Sequence, residues 1–157
     1  MTCTGSWDAA QVAGEAVDIS GLTLTATYTD GTTKDVTADV TVSPETWSST
    51  GSQTATFSYS EGGVTKTTTK AATVIARVAD PVIDCTANVV TMTCDTVGAT
   101  IHYTIDGTEP TTESDSYSVG IEIAEDTTFK AMAVKDGSAN SNVVTAECKY
   151  EEQTTEP

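Results

Sequence analysis

A Ser-His-Asp or Cys-His catalytic system in this chain would have to use its only histidine, His102. Nucleophilic catalysis of the Ser-His-Asp or Cys-His type needs a histidine that activates the nucleophile. His102 lies on the polar face of an alternating run, where a strand histidine is usually inert. The Asp and Glu residues in turns are isolated and do not form the carboxylate pair of a glycosidase. We therefore expect no enzyme activity and no cofactor.

Two groups of acidic residues are candidate metal ligands. They are Asp30, Asp35 and Asp39 in the first half and Asp106, Glu109 and Glu113 in the second. Calcium needs six or more oxygens that converge on one point. Neither group has a loop pattern of that density, and Asp30 and Asp106 are better explained as turn formers. We expect no metal site.

Aromatic rings could stack on the faces of sugars. The rings considered are those of Trp7, Trp47, Tyr103, Tyr117 and Tyr150. Tyr103 and Tyr117 are expected in the core. Trp47, in the loop-like stretch 44–48, is the ring best placed for exposure and for contact with a partner or a glycan, but packing inside the domain is favoured over exposure. Trp7 is the second candidate for contact with a partner or a glycan.

Composition limits the partners. The chain has 157 residues, a formal net charge of -16 and a pI near 4.1. Such a surface repels nucleic acid and anionic lipid, so we expect neither nucleic-acid binding nor membrane insertion. No stretch approaches the length of a membrane-spanning helix, and no signal peptide follows Met1. The chain is therefore either an unsecreted product or a piece of a larger secreted protein.

Alternating hydrophobicity predicts strands. In the run 22–29, Leu22, Leu24, Ala26 and Tyr28 should face inward while the threonines between them face solvent. Residues 7–12 are predicted as an opening strand. Leucine occurs only at positions 22 and 24, and helical periodicity is missing. The prediction is an all-β protein.

The second half repeats this pattern. Ile101, Tyr103 and Ile105 are predicted on one face of a strand, and residues 117–123 as a further strand. Asp30-Gly31 and Asp106-Gly107 supply tight turns, and Pro110 stops further sheet pairing. The predicted organisation is a domain at 1–76, a linker at 77–81, a domain at 82–150 and an acidic tail at 151–157.

The second half resembles a known module. The residues that carry the resemblance are Gly98-Ala99-Thr100-Ile101, Tyr103-Thr104-Ile105-Asp106-Gly107, Glu109-Pro110, Tyr117, Phe129-Lys130-Ala131 and Ser141-Asn142. They are similar to the Ig-like module at the C-terminus of chitobiases and β-hexosaminidases. The resemblance implies a carrier or binding module, because the catalytic barrel of those enzymes is missing here.

The first half resembles the bacterial Ig-like repeats of surface proteins. The matching segments are Gly14-Glu15-Ala16-Val17-Asp18, Ser20-Gly21-Leu22, residues 28–32 and residues 50–55. These are turn and core residues, so they indicate a fold. Together the two resemblances imply two antiparallel Ig-like β-sandwiches in tandem.

The cysteines are Cys3, Cys85, Cys94 and Cys148, and their spacing matches no zinc motif. Cys85 and Cys148 lie on the first and last predicted strands of the second domain, which often run side by side in such sandwiches. Two alternatives stay open. Either these two form a disulfide and Cys94 is a buried thiol, or all the cysteines are reduced and buried.

Two functions fit these observations. The first is a phage virion accessory protein that decorates a head or tail, binds other virion proteins and contacts host glycans. We expect its first domain to dock through Trp7, with the opposite polarity, in which the tail at 151–157 is the anchor, as the alternative. The alternative is a tandem of spacer or carbohydrate-binding modules in a secreted bacterial adhesin or glycosidase, located on the cell surface.

Overall fold

The computed structural model describes residues 1–152 and confirms the all-β prediction. The chain divides into two units, Met1–Ala76 and a second that begins at Arg77. Each unit contains two sheets that enclose an apolar core, as expected for an Ig-like β-sandwich. The predicted tail falls mostly on residues 153–157, which lie outside the described residues.

The first unit has seven strands and one short 3-10 helix. The strands are β1 Thr2–Gly5, β2 Gln11–Val12, β3 Leu22–Thr27, β4 Thr33–Asp35, β5 Thr41–Ser43, β6 Gly51–Glu61 and β7 Val64–Ile75, with the 3-10 helix at Thr37–Asp39. One sheet has the order β1-β3-β4, and the other has the order β2-β7-β6-β5. All neighbours are antiparallel except β2 and β7, which run parallel at the end of the unit.

The core of the first unit is built by alternation on β3 and β6. Leu22, Leu24 and Ala26 are buried, while Thr23 and Thr27 face solvent. Thr25 is half-buried.

Two predictions for this unit were wrong. Tyr28 is 37% exposed, because the strand ends at Thr27 and Tyr28 already belongs to the turn. The opening strand predicted at residues 7–12 is limited to Gln11–Val12, and Thr2–Gly5 forms the first strand. Thr2–Gly5 has too few apolar residues to give a periodic signal, and its pairing with β3 makes it a strand.

Within residues 77–152, the second unit also has seven strands. They are β8 Val82–Thr86, β9 Val89–Thr93, β10 Thr100–Thr104, β11 Asp115–Ser116, β12 Ile121–Glu122, β13 Thr127–Val134 and β14 Val144–Cys148. One sheet has the order β11-β10-β13-β14 and the other β12-β9-β8, all antiparallel. The core is centred on Val90, Phe129 and Ala131.

Two expectations for the strands of this unit differ from the structure. Ile101 is buried and Tyr103 is half-buried, but Ile105 is 59% exposed because β10 ends at Thr104. Of the single strand predicted at residues 117–123, only Ile121–Glu122 forms a strand, β12. β11 lies just before this run, at Asp115–Ser116, and pairs with β10 in the other sheet. The chain changes sheets between these two short strands: Tyr117 N–H still donates to the Ile101 carbonyl, whereas Ile121 pairs with Val90.

The segment 77–81 is part of the second unit instead of a linker. Arg77 forms a parallel bridge with Ala139, and Val78 is 2% exposed in the second core. The Ala79 N–H donates to Thr96 Oγ1 at 2.8 Å. Asp80 accepts from the backbone and side chain of Asn142 at 2.8 and 3.1 Å. The composition of this segment resembles a linker, but its tertiary contacts make it structured.

Across residues 1–152, the structure contains no helix with the length and apolarity needed to cross a membrane.

Candidate functional site

The candidate site is a groove in the first unit, which we call the hairpin groove. It lies where the end of β3 meets the tip of the β6–β7 hairpin, and its volume is about 260 Å³. Its lining residues are Met1, Ala26, Thr27, Tyr28, Thr29, Tyr59, Glu61, Val64 and Lys66. Most of the lining is apolar, and one carboxylate and one ammonium group supply charge. This combination is typical of small-ligand sites.

Two turns bring the polar groups of the groove together. The Tyr28 hydroxyl donates to Glu61 Oε2. Lys34 Nζ donates to Glu61 Oε1 at 3.2 Å and to Tyr59 Oη at 2.9 Å, and it lies 5.4 Å from the centre of the Tyr59 ring. One carboxylate therefore connects the β3–β4 hairpin to the β6–β7 hairpin, which belong to opposite sheets.

This network shifts the ionisation of its members. The hydrogen bond to Glu61 raises the pKa of Tyr28 to about 12, because the donated proton is held by a carboxylate. Bonds to Tyr59 and Glu61 raise the pKa of Lys34 well above its usual value. Hydrogen bonds from Tyr28 and Lys34 lower the pKa of Glu61. The groove therefore holds a carboxylate with two donors at neutral pH.

Lys66 is the cation at the groove that stays available. It is exposed, and within residues 1–152 its ammonium group makes no hydrogen bond or ion pair. Lys66 therefore places a positive charge without an ion-pair partner among residues 1–152 at a groove that Tyr28 and Tyr59 also line, in a chain whose net charge is -16.

Trp47 packs inside the first unit, as the favoured prediction for this ring had it, and it is not a surface contact for a partner or a glycan. It is 1% exposed in the first core, and its indole N–H donates to Gln11 Oε1 at 2.9 Å. Gln11 is itself buried and links this indole to the backbone of Asp18. Although the residues around Trp47 have a loop-like composition, the Trp47 side chain points into the sandwich.

Trp7 is half-buried on the same core. Its ring lies 6.3 Å from that of Trp47 and 6.5 Å from that of Phe57, and its indole N–H donates to the Ala71 carbonyl at 2.8 Å. The Trp7 ring and its indole N–H therefore already have partners inside the first unit.

The Asp-Gly turns have the geometry of Asx turns. Asp30 Oδ1 accepts from the N–H and the hydroxyl of Thr32 at 2.9 and 2.7 Å, and Gly31 has φ +85°. Asp106 Oδ1 accepts in the same way from Thr108, and Gly107 has φ +83°. These bonds lower the pKa of both carboxyl groups. Pro110 is buried just beyond the second turn and lies outside any strand.

Asp35 repeats the arrangement without a glycine. Its Oδ1 accepts from the N–H and hydroxyl of Thr37 at 2.9 and 2.7 Å, which lowers its pKa. Within residues 1–152, the structure contains no group of three or more side chains placed to hold a metal ion.

His102 is half-buried on β10, and its Nδ1 lies 2.8 Å from the carbonyl oxygen of Ser114. The nearest polar partner is thus a backbone group of the adjoining segment. The structure gives this ring a structural contact beside β11.

The cysteines divide into one pair and two single thiols. Cys85 and Cys148 form a disulfide with their Cα atoms 5.5 Å apart. Cys3 and Cys94 are free, and both are half-buried instead of fully buried. Cys94 Sγ lies 3.2 Å from the Ala79 carbonyl. Burial raises the pKa of the Cys3 thiol, and nearby Lys70 partly opposes this effect.

The hairpin groove was not predicted from the sequence, although a short sequence pattern marks both of its hairpins. Tyr28-Thr29-Asp30-Gly31 and Tyr59-Ser60-Glu61-Gly62 share the pattern tyrosine, any residue, acid, glycine. Each pattern places a phenol just before a hairpin tip. Only the sandwich places the two tips side by side.

Comparison with known proteins finds a matching family and matching solved structures, whereas no curated protein matches this chain. A solved structure named "Biofilm associated protein - BSP domain" matches with 16% identity and a TM-score of 0.35. The match covers 83% of this chain and 24% of that chain, so this chain spans about a quarter of its length. A superposition this loose carries no argument about function.

The family result concerns the second unit. Residues 90–148, from β9 to the end of β14, match the family described as "Fn3 associated". The chitobiase-type resemblance of this unit stays a prediction. The second unit is therefore similar to Fn3-associated domains.

Proposed function

We propose that this chain is a structural and adhesive segment of a secreted bacterial surface protein, without enzyme activity. Its two sandwiches act as spacers, and the hairpin groove makes the adhesive contact. The proposed partners are other surface proteins and glycans. The net charge of -16 disfavours nucleic acid and anionic membranes as partners.

The observation that carries the proposal is the Cys85–Cys148 disulfide in the second unit. Disulfides persist in oxidising compartments such as the extracellular space and are rare in the cytosol. The Fn3-associated match of the same unit supports a role as an accessory module.

Location is tested by imaging. Antibodies against the folded chain should label intact cells of the organism that encodes it, and protease treatment of those cells should remove the label. Label confined to lysed cells would contradict the proposal. Label on phage particles would instead support the virion alternative, in which the chain decorates a head or tail.

The adhesive role assigns a ligand class to the hairpin groove. A pyranose fits its chemistry, because a tyrosine ring offers an apolar face while Lys66 and the Glu61 carboxylate serve hydroxyl groups. A glycan array, followed by NMR titration of the best ligand, tests this assignment. Tyr28→Ala should reduce binding at least tenfold.

Tyr150→Ala is the matched control. Tyr150 is 38% exposed, close to the 37% of Tyr28, but it lies in the second unit. Equal loss of binding in both variants would place the ligand elsewhere and contradict the assignment.

The absence of catalysis is tested directly. The protein should not hydrolyse chitin oligomers, β-hexosaminides or peptides. Turnover that disappears in His102→Ala would overturn this part of the proposal.

A further inference from the structure

The disulfide of the second unit connects the strand by which the chain enters to the strand by which it leaves. Cys85 lies on β8, the first strand of the unit, and Cys148 ends β14, the last. The two cysteines are 63 positions apart in sequence. β8 is an edge strand of one sheet and β14 an edge strand of the other, so the bond closes one side of the sandwich.

This connectivity determines the path of a pulling force along the chain. The shortest covalent path through the unit runs from Arg77 to Cys85, across the disulfide, and out from Cys148. All strands from β9 to β13 lie between the two cysteines in sequence, inside a closed covalent loop. A covalent loop cannot lengthen when its two junctions are pulled, so tension bypasses these strands.

Residues outside the loop are bonded to residues inside it on both sides. On the entering side, Val78 N–H donates to the Ala139 carbonyl at 2.9 Å, and Asp80 accepts from Asn142. These contacts lie next to the core residue Val78. Pulling must break them before it stresses the disulfide.

The leaving side is fastened in the same manner. Asp126 accepts from Tyr150 N–H and from Lys149 Nζ, both at 2.9 Å. The Asn88 side chain donates to the Glu151 carbonyl and accepts from the Glu151 N–H, both at 2.7 Å. Asn88 belongs to the β8–β9 turn, so this amide ties the departing chain to the turn next to Cys85.

We infer that the second unit is a tension-resistant segment whose disulfide keeps β9–β13 from being extended when the chain is pulled at its ends. The first unit lacks this device, because its cysteine, Cys3, is free. The two units should therefore respond differently to the same force: the first extends and the second holds its length. This behaviour does not depend on where the protein is displayed.

The size of the effect follows from chain geometry. Extending the first unit, residues 1–76, releases roughly 250 Å at about 3.3–3.6 Å per residue. Of the described residues of the oxidised second unit, those outside the loop are 77–84 and 149–152, and extending them releases roughly 40 Å. Reduction frees the 63-position loop and adds roughly 210 Å.

Single-molecule force extension of the full chain, with handles at both ends, tests the inference. The oxidised protein should show one long step, from the first unit, and at most one short step. The same protein in dithiothreitol should show two long steps. A thiol titration of the unfolded protein fixes the redox state, with two free thiols expected when oxidised and four when reduced.

Two variants sharpen the test. Cys94→Ala should keep the single long step, because Cys94 is outside the disulfide. The double variant Cys85→Ala and Cys148→Ala should show two long steps without reductant, and reduced wild type gives the same reading if that variant fails to fold. Two long steps from protein with two free thiols would overturn the inference. So would four free thiols in protein purified without reductant.

Discussion

The two units share a fold class but differ in what stabilises them. The first unit buries two large rings almost completely, Trp47 and Phe57, and packs Trp7 against both. Among the described residues, the second buries one ring to that degree, Phe129, and its other large fully buried side chains are Val78, Val90 and the disulfide-bonded Cys148.

The two units compensate in different ways for the small size of their cores. A domain of some 75 residues buries only a modest fraction of its surface, so its core alone leaves stability marginal. Aromatic side chains bury about 150–250 Å² each and can compensate for the small size. A disulfide compensates in another way, by restricting the unfolded chain. The first unit uses rings, and the second adds a covalent link.

The largest expected effect is the loss of the central ring of the first unit. Trp47→Ala should destabilise that unit by about 5 kcal/mol, because it leaves a cavity and deprives the buried Gln11 amide of a partner. Denaturant unfolding should show an earlier first-unit transition and an unchanged second-unit transition. Val64→Ala, at a side chain that is 58% exposed, is the control and should change stability little. Parent-like unfolding of Trp47→Ala would show that the ring does not hold the unit together.

Removing the disulfide should have the next largest effect, confined to the second unit. Cys85→Ala with Cys148→Ala should lower the free energy of unfolding by about 4 kcal/mol, as expected for closure of a loop of this length. Calorimetry with and without reductant measures the change. Cys94→Ala should respond to reductant like the parent. If the double variant keeps parental stability, the core alone holds the second unit, and the proposed contrast with the first unit fails.

A smaller loss of stability is expected from changes in the Asp-Gly turns, which both units contain. Gly31→Val and Gly107→Val place a β-branched residue at φ +85° and +83°, with no atom within 4 Å of the added Cβ. The cost is therefore backbone strain alone, ~1–2 kcal/mol for each unit. Thermal melts of the two variants should show similar losses in different transitions. A cost confined to one turn would mean that the two Asp-Gly-Thr turns are not equivalent.

The smallest expected effect is a difference between the two units in how much stability each loses at acidic pH. Hydrogen bonds lower the pKa of Asp18, Asp30, Asp35 and Glu61 in the first unit, and of Asp106 and Asp126 in the second. A lowered folded-state pKa stabilises the protein above the unfolded pKa, near 4, and this contribution is lost as pH falls through the folded pKa. The first unit should therefore lose stability more steeply below pH 4.

Denaturant unfolding followed between about pH 5 and pH 2 measures both slopes. Asp35→Asn removes one titrating group with a lowered pKa and should flatten the slope of the first unit. Equal slopes in the two units would contradict the prediction.

Much of the fold follows from local sequence. Alternation on β3 and β6 places Leu24 and Phe57 in the core, and Asp-Gly pairs form the turns, because side-chain direction and φ are decided within a few residues. The all-β class is determined in the same way. The tyrosine, any residue, acid, glycine pattern marks both hairpin tips of the groove, although the sequence does not reveal that they meet.

The remaining features depend on contacts between distant residues. The tertiary structure decides that Trp47 is buried against Gln11, that residues 77–81 pack on the second core, and that the neighbouring strands β11 and β12 join different sheets. It also brings Tyr28 and Lys34 to the same Glu61 carboxylate, and Cys85 to Cys148. Local periodicity reports which face of a strand is apolar. Which strand covers that face, and which side chains then meet, is decided only when the sheets pack.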